Sequence, residues 1–156
     1  MFAIIIPAYN EEKRIANSLN KLISFDKENP SAIEEIVVVD DGSQDATASI
    51  ISSFEKINPK VHLIKFPENR GKGYAVRTGM LSTKSDIAIF CDADLATPIE
   101  EGPRVIVAHP NADIIIGTRY AQGKGFIAHP SFIRKVASKI WNYIRRKTLL
   151  PNASDS

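Results

Sequence analysis

The sequence predicts an α/β fold in which a mostly parallel sheet carries helices on both faces. Three observations lead there. Short apolar runs alternate with segments of helical periodicity along the chain, the pattern of parallel strands joined by crossover helices. Ile36-Val37-Val38-Val39 is continuously apolar and β-branched, as strands covered on both faces are. Polar, turn-forming clusters follow the apolar runs at 7–12, 40–43, 69–73, 92–95 and 118–120. Open parallel sheets bind ligands beyond the carboxyl ends of their strands, so one edge of this sheet concentrates the chemistry.

Each element has its own signature. Residues 2–6 read as the first strand. Asn10 is a helix cap by residue type, with Glu11 and Glu12 favourably placed at the positive end of the helix that follows. That helix presents Ile15, Leu19, Leu22 and Ile23 on one face,. Residues 36–39 form the second, buried strand. Ser43 or Asp45 caps a second helix whose apolar face is Ile50, Ile51, Phe54 and Ile57. Residues 61–66 alternate less cleanly and belong nearer a sheet edge. Residues 71–82 form a third helix opened by glycines, and residues 87–91 a fourth strand. Thr97-Pro98-Ile99-Glu100 is a capping box with proline at the first helical position, after which Pro103 kinks that helix or starts another. Residues 113–117 complete a fifth strand. No repeat, low-complexity tract or linker interrupts the series, so residues 1–156 read as one domain.

A chain of 156 residues with 44% hydrophobic and 24% charged residues suits one globular domain with a sizeable core,. Its net charge of +2 gives no global field for nucleic acid,. Residues 130–150, however, carry Arg134, Lys135, Lys139, Arg145, Arg146 and Lys147 and no acid, leaving 14 basic against 18 acidic residues elsewhere. A basic end of this kind points to a local anionic partner. Within it Ile133, Val136, Ile140, Trp141 and Ile144 recur at helical spacing. That stripe fits a helix resting on anionic lipid and equally a surface helix packed on the sheet. Cys91 is the sole cysteine; no intrachain disulfide forms, which fits a reducing compartment. No run of about 18 apolar residues is present to span a bilayer, and the first residues lack the basic start and length of an export signal. The expected location is the cytoplasm, with residues 130–150 making a peripheral contact at the cytoplasmic face of a membrane. His62, His109 and His129 have no metal-ligand spacing.

Four clusters carry recognisable chemistry. Asp92-Ala93-Asp94 ends the fourth strand, and two carboxylates two residues apart there can approach one divalent cation such as Mg2+ or Mn2+; such acids are also often solvated loop residues or caps. Asp40-Asp41-Gly42-Ser43 offers carboxylates to a base N–H or a ribose hydroxyl, or simply a turn with Gly42 at positive φ. Asn69-Arg70-Gly71-Lys72-Gly73 opens a helix, where glycines admit a close ligand and the helix end favours anions. Its Gly71-Lys72-Gly73-Tyr74-Ala75-Val76 run nearly copies a dinucleotide fingerprint, but it ends in valine and follows the third strand. Arg119 lies past the fifth strand, free to hold a phosphate with paired donors or to stack on Tyr120.

The order of these clusters is more specific than any one of them. Pro7-Ala8-Tyr9-Asn10-Glu11-Glu12, Val39-Asp40-Asp41-Gly42-Ser43, Asn69-Arg70-Gly71-Lys72-Gly73, Asp92-Ala93-Asp94-Leu95 and Gly117-Thr118-Arg119 together resemble the family 2 glycosyltransferases. The resemblance is strong over 2–120 and looser over 121–156. Arg70-Gly71-Lys72-Gly73 with Ala75-Val76-Arg77, and Asp92-Ala93-Asp94-Leu95-Ala96-Thr97, are most similar to the dolichyl-phosphate β-glucosyltransferases, with the mannosyltransferases as cousins.

The resemblance implies a GT-A fold, a Rossmann-like three-layer α/β/α sandwich. It implies transfer, with inversion, of a sugar from UDP-glucose, or next GDP-mannose, to a polyprenyl or dolichyl phosphate. Pro7, Ala8, Tyr9 and Glu11 would line the nucleoside pocket, Asp40 and Asp41 would bind base or ribose, and Gly71, Lys72 and Ala93 would lie against the donor. Asp92 and Asp94 would hold Mg2+ or Mn2+, and Arg119 would position the acceptor phosphate. In that family a helix like 132–150 precedes a segment resembling Asp-Thr-Gln-Cys-Gly-Phe-Lys. Here the chain reads Asp155-Ser156 and stops, so a truncation of about 60–100 acceptor-side residues is the expectation. Two other readings compete: a non-catalytic nucleotide-sugar binder, and a haloacid dehalogenase-type phosphohydrolase using Asp92-Ala93-Asp94. The latter lacks its usual Thr or Val, since Ala96 stands there, and the motif is on the fourth strand.

Overall fold

The computed structural model describes residues 1–116. In chain order they form β1 (Phe2–Ala8), α1 (Ile15–Glu28), β2 (Ile33–Asp40), α2 (Thr47–Ile57), β3 (Val61–Lys65), α3 (Lys72–Ser82), β4 (Ala88–Phe90) and α4 (Glu101–Ala108). All eight belong to one compact unit, Met1–Pro110.

The four strands are ordered β3-β2-β1-β4 and every pairing is parallel. β3 is at an edge, as its weak alternation predicts. Register follows the period-two pleat: Ile4 lies beside Ile36, Ile6 beside Val38 and Ala8 beside Asp40. Even-numbered side chains of β1 therefore face one helix layer and odd-numbered ones the other. Ile4, Ile6, Ile36 and Val38 pack with Ile15, Leu19, Leu22 and Ile51 from α1 and α2. Ala3, Ile5, Val37 and Val39 pack with Ala75 from α3, and Met80 beside it. Two apolar layers on one sheet make the predicted three-layer α/β/α arrangement. Ile4, Ile6, Ile15, Leu19, Leu22 and Ile51 are each 0% exposed, and burying such a side chain contributes about 1.5–3 kcal/mol.

α3 sits unusually close to the sheet, and Gly79 is the reason. A Cβ at this position would come within 2.4 Å of Ile5 Cγ2 and 3.2 Å of Val39 Cγ2. Both neighbours are β-branched and fully buried, so neither can rotate away. Alanine favours a helix over glycine by about 1 kcal/mol, but overpacking a tight core costs about 1–3 kcal/mol. Gly79→Ala is therefore expected to lower the thermal midpoint by several degrees; an unchanged or raised midpoint would show that α3 can lift freely.

The structure corrects several predicted ends. Asn10 does not cap α1. It has φ 55°, and α1 begins at Ile15, whose N–H and that of Arg14 are taken by the Glu11 carbonyl. Asn10 instead reaches the loop after β2. Of Ser43 and Asp45, the second serves α2: its Oδ1 accepts the Thr47 N–H at 2.9 Å. Ile57, predicted on the apolar face of α2, is 79% exposed at the last residue of the helix. Thr97-Pro98-Ile99-Glu100 forms a turn, and α4 starts at Glu101 without a side-chain cap. Pro103 occupies its first turn, where a missing N–H costs nothing. The predicted fifth strand is not formed over residues 113–116. Ile114 and Ile116 are 80% and 76% exposed, and a β-branched run makes a strand only where a ladder partner offers itself. The rest of that element, with residues 117–156, lies outside the described residues.

Candidate functional site

Parallel strands end together, and here the loops that leave them are tied to one another. After β1, the Asn10 N–H donates to Ser43 Oγ at 2.9 Å, and Asn10 Oδ1 accepts the Gln44 N–H at 2.9 Å. The Glu11 N–H donates to Thr47 Oγ1 at 2.8 Å. The Glu12 N–H donates to Asp45 Oδ2 at 3.2 Å, while Glu12 Oε2 accepts the Ala46 N–H at 3.1 Å. Partial burial works to raise the Asp45 carboxyl, but the Thr47 hydroxyl and the N–H groups of Thr47, Glu12 and Asp45 itself outweigh it and hold it below the usual value. Stability from this carboxylate is complete above about pH 4 and fades as pH falls through the lowered value.

The loop after β3 hangs on β2. Asp41 is 2% exposed; its Oδ1 accepts the Arg70 N–H at 2.8 Å and its Oδ2 the Gly71 N–H at 2.9 Å, while its own N–H donates to the Ala8 carbonyl at 2.8 Å. Gly42, at φ 73°, allows this approach: a Cβ there would lie 2.4 Å from the Glu68 carbonyl carbon. Gly71, at φ 92°, then starts α3 with open space above it and above Gly73. Arg70 lies over the Tyr74 ring at 3.9 Å.

After β4 the chain turns through Asp92, Ala93 and Asp94, with Leu95 at φ 48°. The Ala93 carbonyl accepts the buried Ser18 hydroxyl at 2.6 Å, which pins this turn to α1. Asp94 Oδ1 accepts the Ala96 N–H at 3.0 Å, and both acids reach solvent. Lys72 Nζ lies 2.6 Å from Asp92 Oδ1.

The loops enclose one cleft of about 380 Å3 at the carboxyl edge of the sheet. Pro7, Ala8, Tyr9 and Glu11 line it from β1, and Asp41 from β2. Gly71 and Lys72 line it from the start of α3, Asp92, Ala93 and Asp94 from β4, and Asn69 joins them. Ten predicted positions thus converge. Asp40 does not line the cleft: it is 0% exposed, with Oδ1 accepting the Ser43 N–H at 3.3 Å. Its Oδ2 has no partner among the described residues. Arg119 and residues 130–150 fall outside the described residues. A larger open groove of about 520 Å3 runs beside α1 near Phe25 and Ile99; it touches none of the predicted positions.

Sequence reading missed Ser18, Thr47 and the Lys72–Asp92 pair. Ser18 had a signal, since a hydroxyl in the apolar stripe of α1 needs a buried partner. The ion pair had none, because 20 residues separate its members.

Residues 3–155 match the family described as Glycosyl transferase family 2. The chain belongs to that family. A dolichyl-phosphate beta-glucosyltransferase of Drosophila melanogaster is 37% identical over 147 residues, covering 86% of this chain and 45% of the relative. The family 2 chain thus spans about half the length of such curated relatives. The S. aureus TarS 1–349 structure with UDP is 26% identical, with a TM-score of 0.59 over 81% of this chain and 38% of its own. The mannosyltransferase PcManGT of Pyrobaculum calidifontis, in complex with GDP-Man and Mn2+, is 28% identical, with a TM-score of 0.52 over 62% of this chain and 32% of its own. These likenesses bear out the GT-A fold and displace the phosphohydrolase reading of Asp92-Ala93-Asp94.

One reactive group in this family 2 chain is silent. Burial, and then the charge of Asp92, push the Cys91 thiol up to about 11. Only the thiolate reacts. Native Cys91 is expected to alkylate at pH 8 about 100-fold more slowly than in denatured chain; equal rates would place the thiol in open solvent.

Proposed function

We propose that this chain is the donor-binding part of an inverting glycosyltransferase that moves a hexose, glucose first and mannose next, from a nucleotide diphosphate sugar to a polyprenyl or dolichyl phosphate. The observation that carries it is the single cleft in which a glycine-opened helix end faces the paired carboxylates Asp92 and Asp94. The named relatives support the acceptor class.

The residues present fit a divalent cation. Asp92 and Asp94 offer hard carboxylate oxygens, and among the described residues no third acid, His or Cys joins them in a cluster. That suits Mg2+ or Mn2+ held by one or two carboxylates and completed by phosphate oxygens and water. Such an ion would supply charge neutralisation at the leaving diphosphate. The chain's own residues do the rest. The open space over Gly71 and Gly73 admits the diphosphate to the N-terminus of α3. Of the two adjacent acids, Asp41 lines the cleft and is the one placed to meet base or ribose, whereas Asp40 is fully buried outside that lining. Pro7, Ala8 and Tyr9 form the wall against the nucleoside. The acceptor phosphate, already ionised near neutral pH, attacks the anomeric carbon as the nucleoside diphosphate leaves, so positioning and charge neutralisation supply most of the acceleration. Arg119 positions that phosphate, and the cations of 130–150 meet the anionic membrane surface. No helix among the described residues is long and apolar enough to cross a membrane.

Calorimetric titration of UDP-glucose and GDP-mannose, with Mn2+ or Mg2+ and then with chelator, tests the reading. Metal-dependent binding of one donor is the expected result. A folded sample that binds neither donor, UDP nor GDP would overturn it.

A further inference from the structure

We infer that Lys72 is an internal counter-ion that pairs with Asp92 and leaves it for an arriving nucleotide diphosphate, so that divalent cation and nucleotide bind together and the cation alone binds weakly. The inference rests on the reading of Asp92 and Asp94 as the cation site.

The geometry makes the two occupants exclusive. Lys72 Nζ is 2.6 Å from Asp92 Oδ1, so a cation using that oxygen would sit within a few ångströms of an ammonium group. Lys72 is also the first residue of α3, where the helix dipole disfavours a cation. Its position is offset by the Asp92 carboxylate and by the Phe90 ring, whose centroid lies 5.3 Å from Nζ. The pair is easily exchanged. Its side chains are 62% and 47% exposed, and exposed pairs of this kind hold weakly. A diphosphate in the open space over Gly71 and Gly73 offers the flexible lysine more negative charge than one carboxylate does. Lys72 turning to the phosphate uncovers Asp92 at the moment a cation is needed there. Coupling of this sort is reciprocal: UDP tightens Mn2+ as much as Mn2+ tightens UDP.

Mn2+ binding, read from the spin resonance of the free ion, tests this on the 156-residue chain with and without UDP. Lys72→Met is expected to bind Mn2+ alone about tenfold more tightly than wild type, the size of the repulsion between a divalent and a monovalent cation in a water-like medium. It is also expected to bind UDP less tightly, and its Mn2+ affinity should respond less to UDP. Lys72→Arg, which keeps the charge, should retain weak binding of Mn2+ alone. An unchanged thermal midpoint establishes that the variants are folded. If wild type binds Mn2+ with UDP but Lys72→Met gains no affinity for Mn2+ alone, the counter-ion role is overturned and the cation site stands. If folded wild type binds no Mn2+ even with UDP, the cation site itself fails.

Discussion

Replacing Asp94 with Asn is expected to weaken Mn2+-dependent binding of UDP-glucose by about 100-fold, or about 2.7 kcal/mol, while binding of UDP in chelator stays the same. The substitution isolates charge from shape. Asn keeps the size of the side chain and an oxygen that can still accept the Ala96 N–H, now 3.0 Å from Asp94 Oδ1, so the turn after β4 persists. What is lost is an anionic hard ligand, on which a divalent ion with few protein ligands depends heavily. Ser18 on the Ala93 carbonyl holds the backbone independently of this change. Calorimetry with and without chelator separates the two affinities. Metal-dependent binding at the wild-type level would remove Asp94 from the site and leave the cleft with a single cation ligand, Asp92.

Asp41→Ala has the largest expected structural effect. The carboxylate is 2% exposed and takes two backbone N–H groups, those of Arg70 and Gly71. Hydrogen bonds to a charged acceptor contribute about 1.5–3 kcal/mol each, and their loss leaves both donors short of partners. A loss of about 3 kcal/mol is expected, a large part of a typical domain's 5–15 kcal/mol. The same loop presents Gly71 and Lys72 to the cleft, so UDP affinity should fall even at temperatures where the variant is folded. Asp41→Asn, keeping one acceptor oxygen, should fall between wild type and Asp41→Ala. Chemical denaturation gives the stability and calorimetry the affinity. A variant with wild-type stability would mean that the loop after β3 is held by something other than β2.

The two central strands, β1 and β2, were legible because they are buried on both faces over nearly all their length. Ile36-Val37-Val38-Val39 needs no periodicity to be recognised, and all four are buried beside β1. The apolar face of α1 was legible for the complementary reason: Ile15, Leu19 and Leu22 recur at the helical period and are fully buried. Helix starts were not legible. Asn10 has the composition of a cap, but its N–H and side chain found partners 33 and 34 residues away, and a local rule cannot anticipate a competing long-range bond. Thr97-Pro98-Ile99-Glu100, a capping box by sequence, is instead a turn closed locally by the Glu101 N–H on the Pro98 carbonyl at 3.1 Å.

The sequence by itself determined the family, the parallel sheet and the set of polar clusters. Each of these depends on residue type and order along a few consecutive positions, and alternation of parallel strands with helices sends the clusters that follow β1 to β4 to the same edge. The tertiary structure decided which members of each cluster do what. Asp40 and Asp41 are adjacent and chemically identical, yet the pleat separates them. Asp40 is buried with an unpartnered oxygen, while Asp41 lines the cleft and carries the next loop. Likewise only the approach of α3 to the end of β4 joins Lys72 to Asp92. Such roles arise from distances between elements remote in sequence, which packing sets and no local pattern records.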